Sequence, residues 1–165
     1  SLGSNIRIDE YCIFNVGEVN KNRIFSSNKF NLNNKVNSKV KLLIGDYVHF
    51  NQYCLISSFN LLKIHNYCTF SSGVKVYNVS HHFRNNKIRN QVTVANNLNK
   101  DKSNLNSLII TNIELCENVF ISINAIILNG KIGKNSFVYP NSIVSSDIKE
   151  NSLYKKDRVI GKRFK

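Results

Sequence analysis

The stretch "LCENVFISINAIILNGKIGKNSFVYPNSIVSSDI", Leu115 to Ile148, decides the fold. Cut into sixes, it puts a bulky apolar residue at the head of each unit: Leu115, Ile121, Ile127, Ile132, Val138 and Val144. The Ile127 unit is one residue short. Smaller residues follow four places on, at Val119, Ala125, Ser136 and Ser142. An amphipathic helix would want apolar residues at i, i+3, i+4 and i+7, which this spacing does not supply. A flat sandwich of alternating strands would not hold a period of six over so many units. A triangular coil does. Each side is a short strand and each corner a tight turn. The large residue fills the interior and the small one fits beside a corner, with about 18 residues to a turn.

The same phase extends towards the N-terminus. In "IGDYVHFNQYCLISSFNL" the heads are Ile44, Phe50 and Ile56, with Val48, Cys54 and Asn60 four places on. The phase slips by two at Leu62–Lys63 and resumes in "IHNYCTFSSGVKVYNVSH". There Ile64, Phe70 and Val76 lead, and Cys68, Val74 and Ser80 follow. Leu2, Ile8 and Phe14 continue it more loosely, with Ile6 and Cys12 as small partners. Asn66, Asn118, Asn124, Asn135 and Asn141 recur near the expected corners, where Asn tolerates positive φ. Cys12, Cys54 and Cys68 take small inward places, which makes them buried hydrophobes rather than nucleophiles. No CxxC pair signals a zinc ribbon or redox centre.

With 165 residues, 42% hydrophobic and 20% charged, the chain reads as one globular domain. No apolar run approaches the roughly 20 residues of a membrane helix. The first residues lack the basic start and apolar stretch of a signal peptide, so the cytoplasm is the expected location. Net charge is +13, concentrated in residues 82–107 and 151–165. Such a surface suits a phosphorylated or acidic partner. The basic segments carry no nucleic-acid motif and no interleaved aromatics, so specific nucleic-acid binding is not expected.

The C-terminal repeat resembles the signature of the hexapeptide-repeat acyltransferases, most closely the sugar and polysaccharide O-acetyltransferases. The likeness holds over residues 44–83 and 113–150. It implies an all-β fold, a left-handed parallel β-helix, in one domain. Coils would run roughly over 1–83 and 108–148, with a projecting loop at 84–107 and a short basic C-terminal tail at 149–165. It implies a homotrimer with acetyl-CoA as co-substrate, bound between neighbouring subunits, and no metal. The acceptor would be a sugar or surface polysaccharide, anionic ones included, with a hydroxyl preferred over an amine. In the family a histidine at the end of a coil is the general base. "VYNVSHHF" matches that place in two registers, giving His81 or His82; the register that matches more neighbours favours His81.

Further site residues follow from the resemblance alone. Phe120, Ser122, Asn141, Lys155, Lys156, Arg158 and Lys162 would meet the coenzyme, with Arg163 of the same tail. Phe120 stands where many relatives carry Trp, and "YKKDRVIGKR" lacks the proline of the usual closing motif. Asn78, Phe83, Arg84 and Arg89 would meet the acceptor. His49 and His65 sit at ordinary coil positions and read as structural. Two other functions remain compatible with the repeat: a non-catalytic trimeric scaffold, and a zinc lyase like the γ-type carbonic anhydrases. The chain has no histidine after His82 to complete that lyase's ligand set.

Overall fold

The computed structural model describes residues 1–17, 41–81 and 108–164. In them the period of six becomes three parallel sheets, one on each side of a triangular prism. The first face stacks β3 (Leu42–Ile44), β6 (Leu62–Ile64), β11 (Ile113–Leu115) and β14 (Gly130–Ile132). The second stacks β1 (Arg7–Ile8), β4 (His49–Phe50), β7 (Thr69–Phe70), β12 (Phe120–Ile121), β15 (Phe137–Val138) and β17 (Ser152–Lys155). The third stacks β2 (Ile13–Val16), β5 (Leu55–Ser58), β8 (Lys75–Tyr77), β13 (Ile126–Ile127) and β16 (Ile143–Val144). Isolated bridges Leu2–Ile44 and Ile132–Ile148 extend the first face at both ends. The architecture is a left-handed parallel β-helix, with six coils among the described residues. Its hand is opposite to the usual parallel crossover.

Side chains alternate across each strand, so every head residue points into the prism. Ile44, Ile64, Leu115 and Ile132 stack on the first face, and all are buried. Phe50, Phe70, Ile121, Val138 and Tyr154 stack on the second. Ile56, Val76, Ile127 and Val144 stack on the third. Phe50 and Phe70 lie face to face at 4.6 Å, and Phe14 meets the edge of Phe50 at 5.1 Å. Each small partner fits beside a corner. Val48, Cys68, Val119 and Ser136 line one corner; Cys54, Val74, Ala125 and Ser142 line the next. Leu2 and Ile8 of the first coil stay exposed, because an end coil has a neighbour on one side only. Ser80, the small inward place of its unit by spacing, is exposed: it lies on a strand that has left the coil.

Two corners turn through a residue of positive φ in every coil. Between the first and second faces these are Asn5, Tyr47, Tyr67, Asn118, Asn135 and Asn151. Between the second and third they are Tyr11, Tyr53, Gly73, Asn124, Asn141 and Lys156. Asn66 precedes its turning residue, Tyr67, instead of being it, and accepts a hydrogen bond from the Asp46 N–H at 2.9 Å. The asparagine carboxamides of the later coils form a ladder: Asn118 donates to Asn135 at 2.9 Å, and Asn135 to Asn151 at 3.1 Å. The tyrosines stack instead, Tyr47 on Tyr67 at 5.3 Å and Tyr11 on Tyr53 at 5.1 Å. The left-handed conformation costs a bulky residue about 1–2 kcal/mol. A stacked aromatic pair returns only about 0.5–1.5 kcal/mol for its two members.

The third corner is different. Between β5 and β6 it is a short turn. Residues 17–41 separate β2 from β3, strands of consecutive coils, and 18–40 of them lie outside the described residues. Residues 78–112 separate β8 from β11, and there the chain leaves the coil after β8. The tail at 149–165 begins as a coil strand, β17. It then reverses into β18 (Arg158–Lys162), which pairs antiparallel with β17.

Candidate active site

The second departure starts as a hairpin. β9 (Val79–His81) pairs antiparallel with β10 (Leu108–Ile110), setting Leu108 opposite His81 and Ile110 opposite Val79. His81 is therefore the last residue of the outgoing strand, held by a sheet continuous with the corner. His82, Phe83, Arg84, Arg89 and the projecting loop lie outside the described residues.

Buried amides root the hairpin. Asn78 is fully buried; its Oδ1 accepts from the Phe59 N–H at 2.8 Å, and its Nδ2 donates to the Asn60 carbonyl at 2.7 Å. Asn60, also buried, donates to Asn112 Oδ1 at 2.7 Å, while its own Oδ1 has no hydrogen-bond partner. Thr111 donates its N–H to the Asn78 carbonyl and its hydroxyl to the Leu128 carbonyl. Partnered buried amides are rigid, since breaking one leaves a desolvated polar group. Asn78 was expected to contact an acceptor; with no exposed surface and both ends of its amide engaged, it is a corner residue. Sequence reasoning missed this staple. Its only signal is Asn60 and Asn78 at the ends of successive third-face strands.

The residues expected at the coenzyme gather incompletely. Asn141 and Lys156 are turning residues of one corner in successive coils, and Ser122 opens that corner one coil earlier. Lys155 and Arg158 flank the β17–β18 reversal beside them. Lys155 Nζ stands 5.9 Å over the Tyr139 ring. Phe120 lies on the adjoining second face, half-buried and stacked on Phe137 at 5.1 Å. Lys162 pairs with Ser152 at the far end of β18, away from this corner. None of Lys155, Lys156, Arg158 and Lys162 forms an ion pair among the described residues. Arg163 donates to the Asn118 and Asn135 carbonyls at 3.3 and 3.4 Å, capping the asparagine corner instead of waiting for a phosphate.

The other titratable groups are structural. His49 Nε2 lies 3.0 Å from Asp9, and His65 Nε2 lies 3.0 Å from Glu114. Hydrogen bonds from His49 and then Arg7 hold Asp9 below the ordinary carboxyl range. Burial pushes the Cys54 and Cys68 thiols up to about 12, which leaves them protonated and inert. No group of three His, Cys, Asp or Glu residues is arranged for a metal among the described residues. No helix there is long and apolar enough to cross a membrane.

No family model matches the chain. Over 92 residues it is 27% identical to the dTDP-4-amino-4,6-dideoxy-D-glucose acyltransferase of Escherichia coli, covering 56% of this chain and 37% of that protein. The chain thus spans little more than a third of that curated relative. A mutant of AntD, an N-acyltransferase from Bacillus cereus solved with dTDP and coenzyme A, superposes with a TM-score of 0.69 at 19% identity, over 98% of this chain and 72% of its own. A hexapeptide-repeat acetyltransferase from Vibrio cholerae gives 0.63 at 17% identity, over 97% and 72%. A maltose O-acetyltransferase from Clostridium difficile gives 0.57 at 19%, over 97% and 67%. By repeat and by fold, this chain is a left-handed parallel β-helix, the fold it shares with these acyltransferases.

Proposed function

We propose that the protein transfers an acyl group, acetyl in the simplest case, from coenzyme A to a sugar, with His81 or His82 as general base. The observation that carries this is the β9–β10 hairpin: its outgoing strand runs to His81 from a root of buried amides. A neutral imidazole nitrogen takes the proton of the acceptor atom as that atom attacks the thioester carbonyl. The C–S bond breaks, and the imidazolium returns the proton to the leaving thiolate. Histidine titrates near neutrality, so it serves both steps. A backbone N–H would stabilise the oxyanion.

The corner of Ser122, Asn141 and Lys156, with Lys155 and Arg158 beside it, suits coenzyme A. Unpaired cations would meet its phosphates, and coil backbone its pantetheine arm. Lys162 is too far along β18 to share that corner and would meet the phosphates only from the other end of the tail. Phe83, Arg84 and Arg89 would face the acceptor. The third face carries outward Ile13, Leu55, Lys75, Ile126 and Ile143 in register. Ile13 and Ile143 are 59% and 48% exposed, and this largely apolar row, broken by Lys75, would fit a homotrimer contact.

A hydroxyl acceptor accords with the maltose O-acetyltransferase neighbour. An amine is the second reading, favoured by the amino-sugar relative and the N-acyltransferase neighbours. The test is thiol release from acetyl-CoA with maltose, anionic glycans and a dTDP-4-amino sugar, for wild type, His81→Ala and His82→Ala. Loss of about 10²–10⁴-fold in one variant that still binds coenzyme identifies the base. Absence of coenzyme binding by the wild type would overturn the reading, and light scattering decides the trimer.

A further inference from the structure

The second face lies opposite the hairpin corner, and its first three coils differ from the rest. Tyr47 and Tyr67 stand along one edge; Tyr11 and Tyr53 stand along the other. The four rings are 51–69% exposed, and their hydroxyls make no hydrogen bond among the described residues. The floor between them is polar. Asp9 accepts from Arg7 Nε at 2.8 Å and meets His49 Nε2 at 3.0 Å. Thr69 follows His49 in register.

Two features ask for a ligand. First, the tyrosines occupy left-handed positions that Asn fills at five of the six such corners of the later coils, and stacking does not offset the strain of two bulky residues. Observed strain of this kind is a sign of use. Second, aromatic edges around hydrogen-bonding groups are what an amphipathic, polyhydroxylated ligand requires. The charges on the floor are matched, Arg7 by Asp9, so the strip does not select an anion, unlike the basic tail.

We propose that this strip is an accessory site for an uncharged carbohydrate chain. The tyrosine rings would pack against C–H faces of successive sugars, and Asp9, Arg7 and His49 would exchange hydrogen bonds with their hydroxyls. The site goes beyond the acyl-transfer reading and is measured without it.

The experiment is calorimetric titration of maltohexaose and N-acetylchitohexaose, in the absence of coenzyme, into wild type and two double variants. These are Tyr11→Asn with Tyr53→Asn, and Tyr47→Asn with Tyr67→Asn. Asparagine turns the same corners in later coils, so both variants are expected to fold with an unchanged or higher thermal midpoint. Wild type should bind at least one oligosaccharide, and each double variant about tenfold more weakly. Thiol release with a monosaccharide acceptor should not change. No binding by the wild type, or equal binding by folded variants, overturns the proposal. So does conversion of either variant to a smaller oligomer, which would assign the strip to a contact between copies. A protein that binds oligosaccharide but releases no thiol with any acceptor would lose the acyl-transfer reading and keep this one.

Discussion

The first three coils and the last three solve one geometric problem with different chemistry. In the early coils the second face is filled by Phe50 and Phe70, small places hold Cys54 and Cys68, and tyrosines turn four of the six corners. In the late coils Ile121, Val138 and Tyr154 fill that face, Ser136 and Ser142 take small places, and asparagines turn five of the six corners. The coil therefore specifies size and backbone conformation at each place, not residue type. The consequences differ. A buried thiol asks little of its surroundings, whereas a buried hydroxyl needs partners. Ser136 Oγ donates to the Lys149 carbonyl at 3.0 Å and accepts from the Ser152 N–H at 3.2 Å; Ser142 Oγ accepts from the Lys156 N–H at 2.9 Å. The serines thereby knit the tail to the last coil.

The contrast can be broken most forcefully in the early core. Phe50→Ala removes the centre of the aromatic stack and should cost about 3–5 kcal/mol, seen as a lower urea midpoint; Val138→Ala, three coils along the same column, should cost less. Exchanging the corner chemistry comes next. Asn135→Tyr places a bulky side chain at positive φ and severs both ladder hydrogen bonds, so a loss of at least about 1–2 kcal/mol is expected from the conformation alone. The reverse change, Tyr67→Asn, should be neutral or stabilise by up to about 1 kcal/mol, the difference between strain relieved and stacking lost. An equal penalty for both exchanges, in matched thermal melts, would mean that the two corner types are not interchangeable.

Acid sharpens the contrast with the smallest effect. Asp9 is lowered by its hydrogen bonds from His49 and Arg7, and Asp46 by those from the Ser4 backbone and hydroxyl. A carboxyl depressed in the folded state adds stability above its unfolded pKa, near 4, and loses it as pH falls through the folded value. Below about pH 4, amide exchange should therefore quicken in the first two coils before the last two. Uniform exchange along the chain would show that these carboxylates do not hold the early coils.

Much of this architecture was legible because a period of six leaves few alternatives. The heads from Ile44 to Val144 and, Ser80 apart, the small places beside them are buried as the spacing required, and Asn118, Asn124, Asn135 and Asn141 turn corners. The tyrosine corners were not legible, since propensity assigns positive φ to Asn and Gly and the ring stacks only once a second coil lies beneath it. The break after Val16 was hidden because Leu2, Ile8 and Phe14 continue the phase on one side of it. At the site, the sequence reading set the end of the coil at His81, whereas the last coil strand ends at Tyr77 and His81 lies on the hairpin beyond it; the staple of Asn60, Asn78 and Asn112 was not legible. That staple joins residues far apart along the chain by contacts that carry no local pattern.

The reversal of β18 has a consequence for how copies of this protein behave in a crowd. A stack of parallel coils resembles a growing polymer, since each exposed edge is a template for another in-register strand. By folding back antiparallel on β17, with Arg158 and Lys162 along it and Arg163 pinned to the corner below, the tail acts as a chain stopper. The strand it offers next runs the wrong way and carries like charge, so two copies meeting at this end find neither the polarity nor the neutrality that end-to-end propagation needs.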